Sequence, residues 1–146
     1  MYGFMLFLHL TGLFAWMGGL LVAIVMIGLL HKKLGSSQDS NLLARKSVSI
    51  FSYLAHPGAV LVLGSGVYLI LQMGSGSKPL WLDVMEKGGG MIALLSLIVS
   101  GILGGKVKKK LKAAQGQPVK VTGYLTTMTA FMALILGVVL IVSLRI

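Results

Sequence analysis

Residues 2–30 read YGFMLFLHLTGLFAWMGGLLVAIVMIGLL, and no Asp, Glu, Lys or Arg occurs among them. At ~1.5 Å of rise per residue, a helix of this length exceeds the ~30 Å hydrocarbon core of a bilayer. Three further apolar windows follow: Val48 to Met73, Gly89 to Gly105 and Val121 to Leu144. The third is the shortest and lies near the lower limit for a span. None alternates polar and apolar residues, and in lipid every backbone amide must find its partner internally, so the windows predict helices and not barrel strands.

Composition agrees. The chain has 146 residues, 56% hydrophobic and 11% charged, with a mean hydropathy of +0.94, far from the balance of a water-soluble domain. The expected fold is all-α: an integral membrane, antiparallel four-helix bundle forming a single transmembrane domain over residues 1–146. Its helices are expected at about residues 2–31, 47–73, 88–106 and 120–145. No Lys or Arg precedes the first run, which is therefore read as a retained first helix and not as a signal peptide.

The formal net charge is +10, with 13 Lys and Arg. KVKKKLKAAQGQPVK, residues 106–120, would suit a nucleic acid if it stood alone. Position argues otherwise. Lys32, Lys33, Arg45 and Lys46 fall between the first and second runs, and Lys106, Lys108, Lys109, Lys110, Lys112 and Lys120 between the third and fourth. Lys78 and Lys87 share the remaining connection with Asp83 and Glu86, and Arg145 is C-terminal. The positive-inside bias makes the two basic connections cytoplasmic and in contact with anionic lipids, puts both termini outside, and gives a multi-pass protein of the plasma (inner) membrane with no nucleic-acid partner.

The chain has no cysteine, which excludes thiolate metal sites, disulfides and c-type haem and leaves His and Met as soft ligands. LGSSQDSN, residues 34–41, has linker composition and is expected to be mobile. In GSGSKPLWLDVMEKGGG, residues 74–90, a flexible start precedes Trp81, Leu82, Val84 and Met85, which suit a short interfacial helix anchored by Trp81. Gly18, Gly19, Gly64, Gly66, Gly101, Gly104, Gly105 and the series Ala15, Gly19, Ala23 favour close helix packing, inside the bundle or in a homodimer.

Within FLHLTGLFAWMGGLL, residues 7–21, His9 is the one ionisable side chain. At 100° per residue, Met5, His9, Gly12, Trp16, Gly19 and Ala23 share a face, predicted to be buried. His9 would lie ~9 Å below the outer surface, with Gly12 leaving room beside it and Trp16 walling that room two turns down. Three readings compete: a structural hydrogen bond to a neighbouring helix, an axial ligand of haem b, or a soft copper site formed with Met1 and Met5.

The segment from His9 to Trp16, Met17, Gly18, Gly19 and Leu20 resembles the first helix of the superfamily that contains the HemJ-type protoporphyrinogen oxidases and the CopD-like copper-resistance membrane proteins. HPGAVLVLGSGVYLIL, residues 56–71, resembles the second helix of that group, and WLDV, residues 81–84, the entry to its third. The likeness touches about half the chain. It implies a four-helix bundle and, in the HemJ branch, haem b with the first-helix His as a functional residue. HemJ-type enzymes carry a Pro-Arg pair after their Trp and a Lys after the WL of helix three; here the corresponding residues are VAIVMIGLLHKK and Met85, so the resemblance is to the wider superfamily.

On the second helix Ser49, Ser52, Tyr53 and His56 share a face, and Pro57 predicts a kink by freeing the carbonyl of Tyr53. His56, Ser96 and Thr129 all fall ~12 to 14 Å from the inner ends of their helices, with Tyr124, Thr126 and Thr127 below them. This layer reads as interhelical glue or as a polar pocket open to the cytoplasm. His9 and His56 differ in height by ~15 Å, so one haem is not expected to join them. His31, beside Lys32 and Lys33, reads as a solvated interface residue. No catalytic set is legible: there is no intramembrane carboxylate, no nucleophile with its base and no phosphate loop. The resulting expectation is haem b bound at His9, serving electron transfer or haem handling, with a copper-related protein or a cofactor-free scaffold as rivals.

Overall fold

The computed structural model describes residues 1–72 and 79–144. Met73, the GSGS segment, Lys78 and Arg145 lie outside the described residues. Four helices are long and apolar enough to cross a membrane: α1 (Tyr2–Leu30), α2 (Gln38–Gln72), α3 (Leu80–Ala113) and α4 (Thr122–Leu144). No strand occurs among the described residues.

α2 begins at Gln38, not near residue 47, because the polar residues that lead into it find helical uses. Ser40, Asn41 and Ser47 are buried, and the Ser47 hydroxyl donates to Leu43 O at 2.9 Å. The helix runs on through Pro57. α3 is likewise longer than its apolar run. Leu80–Asp83 starts it, a π-turn over Val84–Gly89 follows, and Gly90–Ala113 completes it. The stretch around Trp81 is thus the first turn of a long helix, with Leu82 buried, and not a separate interfacial helix. Arg45 and Lys46 sit in α2, and Lys106 to Lys112 in α3.

The expected mobile linker is pinned. A 3₁₀ turn at His31–Lys33 leads to buried Leu34, whose carbonyl accepts from Val119 N at 3.2 Å. Gly35 N donates to Asn41 Oδ1 at 2.7 Å. Gly35 has φ +95°, and a Cβ there would fall 1.8 Å from Gln117 O, so this contact between the two basic connections requires glycine.

α1 and α2 pack most closely. A Cβ on Gly12 would stand 2.7 Å from Gly58 O, and one on Gly58 2.7 Å from Gly12 O and 2.8 Å from Trp16 N. One turn and more below, Gly19 packs on Ala55. This is close backbone approach through small residues, the usual way helices associate where lipid removes the hydrophobic drive. Ala15 and Gly19 are therefore engaged within one chain, which takes this series away from the expected homodimer. Gly104 packs on Val48 and Tyr124, whereas Gly18, Gly64 and Gly105 face open space. The core runs through Leu20, Ala23, Ile27, Val48, Phe51, Ala93 and Met128, and the outward faces carry large apolar side chains such as Phe7, Phe14, Leu29 and Leu71.

Candidate functional site

Beyond the Gly12–Gly58 crossing, toward His9, lies a cavity of about 460 Å³, within the roughly 300–1,000 Å³ of small-molecule and cofactor sites. It is walled by all four helices: Leu6 to Trp16 of α1, Val62 to Leu71 of α2, Met85 to Ile92 of α3 and Ile135 to Ser143 of α4. On α1 the wall spans ten residues, ~15 Å along the axis.

Glycine makes much of the space. Gly66, Gly89 and Gly90 line the cavity and project no side chain into it, and the π-turn just before Gly90 adds a residue to the wall of α3, a feature common at functional sites. Gly66 also seats the imidazole: a Cβ there would lie 3.4 Å from His9 Cε1 and 3.6 Å from Nδ1.

His9 is half-buried, and its Nδ1 lies 3.1 Å from Val62 O and 3.2 Å from Ser65 Oγ. The Ser65 hydroxyl donates to the Leu61 carbonyl, one turn back on its own helix. Its proton is therefore committed and its oxygen accepts. Both partners of Nδ1 are acceptors, so Nδ1 carries the proton and Nε2 keeps its lone pair. The same pattern, with one ring nitrogen fixed by a carbonyl and the other left basic, orients histidines that ligate metals.

Trp16 is the floor. Only 3% exposed, it donates from Nε1 to Ser96 Oγ at 3.3 Å, which turns its polar edge toward α3. Ser96 thus pairs with Trp16 as the acceptor of its indole N–H. Gly12 does not open space beside His9, because the Gly58 backbone of α2 fills it. Met5 lies outside the cavity wall, and Met1 is 89% exposed. Among the described residues no group of three or more His, Asp or Glu side chains could hold a metal ion.

The second expected constellation does not assemble. His56 Nδ1 donates to Ser52 O of its own helix at 2.9 Å, and its Nε2 packs against Gly101, where a Cβ would lie 3.6 Å away. Ser52 donates to Val48 O at 3.0 Å. Tyr53 is 81% exposed and Thr129 is exposed; both leave the bundle interior. Thr127 donates to Gly123 O at 2.8 Å, and Tyr124 is buried with its hydroxyl unpartnered. Since His9 packs on Gly66, ten residues after His56 on α2, the two imidazoles stand ~15 Å apart along that helix.

Sequence reading missed Val62, Ser65, Met85 and Glu86 as neighbours of this site. Glu86, which charge counting assigned to a loop, lies in the π-turn of α3 and lines the cavity. The Gly88–Gly90 triplet was the available signal that a wall without side chains stood there. Comparison with protein-family models, with curated proteins and with solved structures finds no match for this chain.

Proposed function

We propose that the chain is a haem b-binding protein of the plasma (inner) membrane, an antiparallel bundle with both termini outside, acting in electron transfer or haem handling. The observation that carries the reading is the fixed tautomer of His9, which leaves the Nε2 lone pair unprotonated on a ring that lines a mostly apolar cavity. His9 would hold the iron, and Met85, which lines the same cavity on α3, would offer a thioether as second ligand. Bound there, haem b would supply one-electron chemistry. Val62 and Ser65 hold the imidazole in its tautomer, Trp16 closes the inner end, and Ile135 and Val138 exclude water. The likeness of residues 9–20 to the HemJ/CopD-like superfamily supports the same reading. Copper is less well served, since of Met1, Met5 and His9 only His9 lines the cavity.

The orientation rests on the Leu34–Val119 contact, which joins the two basic connections at one end of the molecule and lets the positive-inside bias act on both.

The test is the absorption spectrum of the purified full-length protein. A Soret band is expected, lost in His9→Ala and regained when imidazole is added to that variant. A band unchanged in His9→Ala refutes the ligand assignment. Absence of the band together with bound copper establishes the copper reading, and absence of both leaves a scaffold.

A further inference from the structure

α2 is 35 residues long and α3 is 34, each ~50 Å at ~1.5 Å per residue, against ~40–45 Å for a bilayer with its headgroups. Charged turns extend the apolar runs at the Gln38 end of α2 and the Ala113 end of α3, the ends tied through Leu34 and Val119. Here the helices carry cations at headgroup level. Leu42, Arg45, Lys46, Ile50 and Tyr53 recur at helical spacing along one stripe of α2 and, with Lys108 of α3, line an open groove of about 390 Å³. Arg45, Lys46 and Lys108 make no salt bridge among the described residues, where the ion pair found is Lys87–Asp83. Asp39, in the first turn of α2, is outside the groove.

We infer that this groove binds one anionic phospholipid, its phosphodiester held by Arg45, Lys46 and Lys108 and an acyl chain laid along Ile50 and Tyr53. The three cations supply a fork and two point charges for a phosphate. Tyr53 lies eight residues beyond Arg45, ~12 Å deeper toward the apolar part of the helix, and is 81% exposed. A dissolved anion gains nothing from Ile50 or Tyr53, and an acidic peptide has no reason to meet an apolar strip that continues into the lipid-facing surface. Basic pockets between membrane helices recognise lipid headgroups in this way. The inference is independent of the haem reading.

The test uses the full-length protein in phosphatidylcholine vesicles, with spin-labelled phosphatidylglycerol and spin-labelled phosphatidylcholine compared as probes. Selective retention of the anionic label is expected. The triple variant Arg45→Gln/Lys46→Gln/Lys108→Gln should lose that selectivity, by roughly fivefold per cation at low salt. Ile50→Ala/Tyr53→Ala should weaken retention of long-chain label more than short-chain label. A control that removes the same charge elsewhere, Lys32→Gln/Lys33→Gln/Lys120→Gln, should keep the selectivity. Equal loss in both triple variants overturns the site in favour of general surface charge. Displacement of the label by inorganic phosphate at matched ionic strength overturns the lipid as occupant. All substituted side chains are partly or fully exposed, and monodisperse elution verifies that each variant is folded.

Discussion

Gly58→Ala puts a methyl group into the tightest helix crossing of the molecule. Its Cβ would stand 2.7 Å from Gly12 O and 2.8 Å from Trp16 N, where ordinary contact begins at 3.4 Å. Both obstacles are backbone, so no rotamer change relieves them, and α1 and α2 must part by about 0.7 Å. A gap of ~0.5–1 Å forfeits a quarter to a half of the dispersion energy of the atoms that face it, and overpacking of this kind costs about 1–3 kcal/mol. The intrinsic helix preference for Ala over Gly, up to ~1 kcal/mol, opposes this and is smaller. Gly64→Ala isolates that opposing effect, because a Cβ there meets nothing within 4 Å. Titration with a denaturing detergent, followed by circular dichroism, should therefore show Gly58→Ala destabilised by ~1–3 kcal/mol relative to Gly64→Ala, because the helix preference is common to both. Gly12→Ala strains the same crossing, and the double variant should fall short of the sum of the two. Equal stability of Gly58→Ala and Gly64→Ala would refute the account of how α1 and α2 meet.

Two further outcomes follow from single polar atoms. Ser96→Ala removes the acceptor of the Trp16 indole N–H, and an orphaned buried donor costs about 1–3 kcal/mol; detergent unfolding should shift accordingly, and Trp16→Phe in the Ser96→Ala background should recover part of the loss. Tyr124→Phe deletes a buried hydroxyl that has no partner, so the same unfolding assay should find it neutral or stabilised by up to ~1 kcal/mol, whereas a loss beyond ~1 kcal/mol would show that the hydroxyl is engaged.

The four apolar runs were legible because lipid leaves the backbone few alternatives. The buried face of α1 was legible too: Gly12, Trp16, Gly19 and Ala23 recur at helical spacing, and all are buried. What fills the space beside each of them was not. In a helix apolar on every side, periodicity separates small residues from large ones but does not say which neighbour approaches, and so Gly12 read as a vacancy when α2 occupies it. The polar layer failed for a related reason. Ser52 and Thr127 satisfy their hydroxyls on their own helices, which frees such residues from any need for a shared pocket, and a count of depth along the sequence carries no azimuth. The extents of α2 and α3 were underestimated because hydropathy ends where charge begins, while the helices continue beyond the apolar runs into Arg45, Lys46 and Lys106 to Lys112.

The two histidines show how the same residue type acquires different chemistry from its surroundings. Each donates Nδ1–H to a carbonyl, so each keeps a basic Nε2. For His56 that atom meets α3 at Gly101. For His9 the Nδ1 edge meets α2 at Gly66, where even an added Cβ would make only ordinary contact, and the ring borders a cavity whose wall also contains Gly89 and Gly90. Trp16, fixed by Ser96, lines the cavity of His9. The tight crossing at Gly12 and Gly58 and the open region around His9 are then parts of one arrangement: drawing α1 and α2 together at one level sets the position of Trp16, and the π-turn with its glycines holds α3 clear at the next. Any change that relaxes the crossing should therefore register at His9 before it registers at the Leu34–Val119 end of the molecule.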